Sequence, residues 1–304
     1  MDKMFVYTFY RFKSLNSINK YKTVFDNFLL KRNIRGTILI ANEGVNGSLS
    51  GSKKSLDEFV KFMKSYLNIR KLDLKINQTE FIPFKKMKVR LKKEIVSLGQ
   101  GKINVNKFRG KLIEPKNWDN LISDKNTKII DVRNEFEIGI GKFIGSINPK
   151  TKSFREFPKV FKKMKTKKDD KIAMYCTGGI RCEKLSAFLK KKGYENVYQL
   201  KGGIINYLKL KNEKKEKSKW IGECFVFDDR VTIDKNLLKG NYIQCYGCRR
   251  PLTIKDVRCD TYRKGVHCPY CINERTEKQL KSSETRQSQI DISKKRNIDH
   301  AFKK

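Results

Sequence analysis

Residues 171–181 read KIAMYCTGGIR, and the rest of the chain is organised around them. Residues 171–175 are apolar after the first position and read as a short buried strand. Cys176 stands at its carboxyl end, and Thr177-Gly178-Gly179-Ile180-Arg181 make a tight turn. Residues 182–192, with Leu185, Phe188 and Leu189 on one stripe, read as a helix. The two glycines let the backbone bend and expose its N–H groups. Those donors and the positive end of the helix dipole point at the sulfur, and Arg181 adds a full charge. Such surroundings lower a thiol's pKa and leave a reactive thiolate. A buried structural cysteine is the other reading; the glycine turn and the arginine favour the reactive one.

Outward from this turn, strands alternate with helices over residues 128–208, which predicts a parallel sheet with helices on both sides. Cys176 then lies at the carboxyl end of a central strand, where open α/β sheets place their sites. Residues 128–132 read as a strand whose end carries Asp131-Val132-Arg133, and Asp131 and Arg133 are expected at the same sheet edge as Cys176, with an ion pair holding the loop as their structural role. Residues 115–123 read as a short helix and 99–111 as a linker. This domain spans 112–212.

Residues 1–100 show a β-α-β-β-α-β order, with strands at 4–10, 36–41, 48–50 and 84–91 and helices at 15–32 and 53–67. That is the pattern of a ferredoxin-like or acylphosphatase-like sandwich. Lys85, Lys86, Lys88, Arg90, Lys92 and Lys93 interleave with Met87, Val89 and Leu91, either to meet an RNA backbone or as a solvated strand face.

After a charged linker or solvated helix end at 209–219 comes WIGECFVFDDR, a strand-like run, at 220–230. Cys245-x-x-Cys248 and Cys268-x-x-Cys271 follow, spaced as the two knuckles of a structural zinc site; a redox dithiol pair or unligated thiols are the alternatives. Four sulfurs leave no open position for chemistry. His267 is a substitute ligand, and Cys182, Cys224 and Cys259 read as structural. This module spans 217–273, and residues 274–304 read as a loose helix or disordered charged tail.

With Lys+Arg 70 against Asp+Glu 32, the 304-residue chain carries a net charge of +38, which points to a polyanionic partner. Lysine spread along the whole chain weakens that inference. Eight cysteines in these patterns suit a reducing compartment, not a disulfide scaffold. The start has no secretory-leader pattern and no apolar run approaches a membrane span, so a soluble cytoplasmic protein with no membrane partner is expected. No flavin or nicotinamide fingerprint and no open iron site is visible.

The stretch 176–181 resembles the six-residue active loop of the rhodanese family, shorter than the cradle of the related dual-specificity phosphatases. DVRNEFEIGIGKFIGSIN at 131–148 resembles that family's second signature, and VYQLKGG at 197–203 resembles its closing strand and Gly-Gly turn. A closer resemblance covers nearly the whole chain. GTILIANEGVNGSLSG (36–51), FKKMKVRLKKEIVSLG (84–99), DVRNEFEIGIGKFIGSINPKTKSFREFP (131–158), YCTGGIRCEK (175–184), CFVFDDR (224–230) and the two cysteine pairs follow in one order. This looks like the bacterial tRNA uridine hydroxylase family. The resemblance implies tRNA as substrate, molecular oxygen as co-substrate, 5-hydroxyuridine at the wobble position as product, and a persulfide intermediate on Cys176. The residues alone suggest a sulfurtransferase acting through a Cys176 persulfide, with tRNA thiolation as its form, and this stays the alternative. A non-catalytic RNA-binding protein is the third reading, disfavoured because Cys176 is present.

Overall fold

In the computed structural model, which describes residues 3–298, the chain opens with a five-stranded sheet backed by two helices. Its elements are β1 (Met4–Phe12), α1 (Ile18–Leu30), β2 (Arg35–Ala41), β3 (Gly44–Ser52), α2 (Lys53–Tyr66), β4 (Asp73–Thr79) and β5 (Met87–Leu91). The strand order is β4-β1-β3-β2-β5, antiparallel except for the β2–β5 pair. Phe25 and Leu29 of α1 and Leu56, Phe59 and Met63 of α2 pack on Tyr7, Phe9, Ile38, Ile40 and Leu49 of the sheet. Each such side chain contributes about 1.5–3 kcal/mol by leaving water.

β4 departs from expectation. It takes the place assigned to residues 84–91, and β5 is an additional edge strand. The buried positions of β4 are Lys75, Asn77 and Thr79, while Ile76 is exposed. A strand with its polar residues inward defeats a reading from apolar alternation. Lys75 is covered because it meets the central domain: its Cε lies 4.0 Å from where a Cβ on Gly178 would be.

The central domain comprises α3 (Val105–Phe108), β6 (Lys111–Ile113), α4 (Pro115–Ser123), β7 (Thr127–Asp131), α5 (Glu135–Ile138), β8 (Gly141–Phe143), α6 (Phe157–Lys163), β9 (Lys171–Tyr175), α7 (Ile180–Lys191), β10 (Val197–Leu200) and α8 (Gly203–Lys214). β6-β10-β9-β7 form a wholly parallel sheet with β9 inside it. Residues 99–111 are not a free linker. They cross α7, burying Ile103 and Val105 in one cluster with Leu185 and Phe188, and Gly110 N donates to Ser186 Oγ at 3.1 Å.

β11 (Trp220–Gly222) pairs with β8, and β12 (Cys224–Phe225) pairs with β13 (Thr232–Ile233). Trp220, Cys224, Val226 and Ile233 belong to the cluster holding Trp118, Phe143, Tyr175 and Tyr207. This stretch, grouped by sequence with the cysteine module, therefore packs in the central domain's core. Within 209–219, Lys211 is buried, its Nζ 2.7 Å from Asp119 and 2.9 Å from Glu216.

The cysteine module holds β14 (Ile243–Gln244), β15 (Pro251–Leu252) and α9 (Ile254–Arg258). The tail is more regular than expected: α10 (Glu277–Lys295) starts with a Thr276–Gln279 capping box. Arg286 Nη2 donates to Tyr246 O and Gly265 O at 3.1 and 2.7 Å, fastening the helix to the module. Residues 299–304 of that expectation lie outside the described residues.

Candidate active site and metal centre

Cys176 is fully buried where β9 ends, and its Sγ accepts from Gly179 N at 3.1 Å. Gly179 has φ 99°, and a Cβ there would come 3.1 Å from the Tyr10 hydroxyl. The second glycine turn closes on the first: Ile204 N and Ile205 N donate to Cys176 O and Thr177 O at 3.0 and 3.2 Å. A Cβ on Gly203 would fall 2.4 Å from Cys176 O, so no other residue permits that approach. Burial pushes the Cys176 thiol up. The Cys182 thiol, the Arg181 charge and the N–H groups of Cys182 and Gly179 outweigh it, bringing the pKa to about 6. Cys176 is thus a thiolate at neutral pH. Burial and the neighbouring Cys176 push Cys182 well up, so Cys182 stays a protonated donor.

The Arg181 fork is engaged with Glu137, Nη1 and Nη2 each 2.7 Å from a carboxylate oxygen, and Arg181 acts on Cys176 through its charge. A guanidinium this deep requires a carboxylate partner. Glu137 is itself fully buried on α5 and accepts from Asn134 N at 3.0 Å. Asp131 and Arg133 form a fully buried pair, Nη2–Oδ2 2.6 Å, at the end of β7. Arg133 also donates to Glu137 O at 3.1 Å and Gly141 O at 2.6 Å. The pair therefore fixes the backbone that carries Glu137, and Glu137 positions Arg181. Two acidic residues follow DVR in the sequence, Glu135 and Glu137; burial separates them, since Glu135 is exposed and Glu137 is not.

The N-terminal domain holds α7 from outside. Tyr10 OH donates to Glu183 at 2.8 Å, and Lys184 Nζ lies 2.8 Å from both Glu43 oxygens and 2.6 Å from Glu94. Glu183 and Lys184 are buried for that reason, and neither was singled out by sequence. Thr177 is buried, while Gly178 and Ile180 are half-buried at the loop's outer side.

The cysteine pairs converge. Cys245–Cys271, Cys248–Cys268 and Cys268–Cys271 sulfurs are 4.0, 3.8 and 3.7 Å apart, and all four lie within 4.8 Å. A tetrahedron with metal–sulfur bonds of about 2.3 Å has edges of about 3.8 Å, so the four sulfurs fit a metal ion with no open position. His267 stands outside this set, its Nδ1 3.0 Å from Thr261 O. Cys224 is buried like Cys182, but Cys259 is exposed beside Thr261 and packs no core.

On β5, Lys88 and Arg90 are exposed. Partial burial and the nearby charges of Arg90, Lys86 and Arg249 lower the Lys88 pKa, so basic residues of the N-terminal domain and of the cysteine module lie close together here. Lys85 Nζ sits 4.6 Å over the Tyr246 ring at the same junction. Among the described residues no helix is long and apolar enough to cross a membrane.

Residues 4–95 match the UPF0176 acylphosphatase-like domain family, and residues 114–210 match the rhodanese-like domain family. Solved structures with similarity include a rhodanese-related protein from Thermoplasma volcanium, 26% identical, covering 33% of this chain and 92% of that one at a TM-score of 0.28. Another is a rhodanese-like domain from Anabaena sp., 18% identical, covering 33% and 74% at a TM-score of 0.26. A protein of Pelagibacter ubique (strain HTCC1062), the tRNA uridine(34) hydroxylase, is 48% identical over 300 residues, 98% of each chain. A match of that depth runs through both domains and the cysteine module alike, and the chain belongs to the tRNA uridine(34) hydroxylase family.

Proposed function

We propose that this chain hydroxylates C5 of uridine 34 in tRNA, using molecular oxygen and the Cys176 thiolate. The observation that carries the reading is a fully buried Cys176 with its pKa near 6 in a chain 48% identical to a tRNA uridine(34) hydroxylase. Cys176 is the reacting group, able to carry a persulfide. The Gly179 N–H and the Arg181 charge hold its anionic form, and Asp131, Arg133 and Glu137 keep the arginine in place. Thr177, Gly178 and Ile180 shape the mouth of the loop. Cys245, Cys248, Cys268 and Cys271 hold a structural zinc, which folds the module and takes no part in the reaction. The basic face of β5 and Arg249 binds the tRNA backbone in the cytoplasm, where the thiols stay reduced.

The test is mass spectrometry of tRNA nucleosides from a deletion strain complemented with the wild-type gene or Cys176→Ser. 5-Hydroxyuridine restored by the wild type and absent with Cys176→Ser is expected. Sulfur on the nucleoside in place of oxygen would make the chain a sulfurtransferase. Product at wild-type levels with Cys176→Ser would end the cysteine mechanism.

A further inference from the structure

CFVFDDR, at 224–230, lies outside the site described above, yet its backbone is braced from three sides. Thr177 Oγ1 of the active loop donates to Phe225 O at 3.4 Å, and Asp229 N donates to Pro83 O of the N-terminal domain at 2.9 Å. Asp228 and Arg230 form a buried bidentate pair, with Nε–Oδ1 2.8 Å and Nη2–Oδ2 2.7 Å. Val226 N and Val231 N close the turn on Val231 O and Asp228 O, each at 2.9 Å. Phe225, Val226, Asp228 and Arg230 are all buried, while Phe227 between them is 64% exposed.

That ring does not lie loose. It stands edge-on to Phe225, centroids 5.0 Å apart at 87°, and its centroid is 5.8 Å from Arg181 Cζ. A turn so heavily held keeps an apolar ring in water beside the reactive loop, which the hydrophobic effect alone disfavours. The Arg230 Nη1 of the same turn is buried without a protein acceptor. Lys75, paired with Asp73, lies beside Gly178.

A uridine that reacts beside a sulfur at the foot of a cradle must leave the stack of its neighbours, and an aromatic face replaces the stacking it loses. We propose that Phe227 is the platform on which the target uracil stacks beside Cys176. This rests on the tRNA-hydroxylase reading and assigns the ring a substrate-binding role in it.

The test compares Phe227→Trp, Phe227→Tyr, Phe227→Leu and Phe227→Ala in the full-length protein. The probe is a synthetic anticodon stem-loop RNA with uridine at position 34, beside the same RNA abasic there. Loss of one base–aromatic stack should raise KM roughly ten- to a hundred-fold in the alanine and leucine variants, with the tryptophan and tyrosine variants near wild type. Because the ring is exposed, thermal stability should not change, and kcat should move less than KM. The native tryptophans, Trp118 and Trp220, are buried, so fluorescence of Phe227→Trp reports on the platform. It should be quenched by the uridine RNA and much less by the abasic RNA. Leucine restoring KM as well as tryptophan, or equal quenching by both RNAs, would overturn the platform. If wild-type protein forms no 5-hydroxyuridine yet the two RNAs quench differently, the hydroxylase reading falls and the base platform stands.

Discussion

Glu137→Gln tests the arrangement around Arg181 most directly. Glu137 is 0% and Arg181 7% exposed, so water screens neither charge. Removing one partner of such a pair costs about 3–5 kcal/mol, because the remaining charge stays buried. Glutamine keeps the volume and one acceptor, which favours the lower figure, about 3 kcal/mol. For a cooperative unit of about 150–250 residues this lowers Tm by roughly 6–12 °C. Urea unfolding followed by fluorescence of the buried Trp118 and Trp220 measures it. Arg181→Gln should cost a similar amount. The double variant should cost much less than the sum, giving a coupling of about 2–3 kcal/mol. The pH dependence has a definite sign. Burial pushes Glu137 up, but Arg181 and then Arg133 hold it below its ordinary 4.5. Its stabilisation is therefore full above the unfolded value near 4.5 and is lost as pH falls through the lower folded value. The penalty of Glu137→Gln should be complete at neutral pH and shrink in acid. Deleting this carboxylate also removes a negative charge from the site, so the Cys176 thiol should titrate below about 6. A loss under about 1 kcal/mol, or strictly additive single variants, would refute the buried-pair reasoning.

In the wild type, thiolate absorbance should show a titration centred near pH 6 that Cys176→Ser removes. Since 6 lies below the unfolded 9.0, this thiolate stabilises the fold fully above pH 9 and ceases to as pH falls through 6. Elemental analysis should find about one zinc per chain, lost in Cys245→Ser with Cys268→Ser; a metal-free, well-folded wild type would contradict the centre. Affinity for tRNA should fall steeply with salt, and Lys88→Glu, Arg90→Glu and Arg249→Glu should each flatten the slope of log K against log salt by roughly 0.7–0.9 for every phosphate that the variant no longer neutralises. Salt-independent affinity would remove the basic face from the interface.

The local elements were legible because their causes are local. A five-residue run that is apolar after its first position, a glycine turn and a helical stripe suffice for β9, the active loop and α7, and the spacing of two C-x-x-C pairs suffices for a four-sulfur cluster. Apolar periodicity likewise marks the helices and most strands of the N-terminal sandwich. What escaped depends on contacts between residues far apart in the chain. Lys75, Asn77 and Thr79 reverse the pattern of β4, and no periodicity in β4 records which domain will cover its polar face. Arg181 and Glu137 are 44 residues apart, and Lys184 and Glu43 are 141 apart. Which carboxylate satisfies a buried cation is decided by which elements pack together, because burial creates the demand for a partner and proximity supplies it. Phe227 is the converse case: an apolar residue that a core would ordinarily take is held in water by the buried Asp228–Arg230 turn. Sequence thus determined where the reactive cysteine stands, and tertiary packing decided what charges, rings and donors surround it.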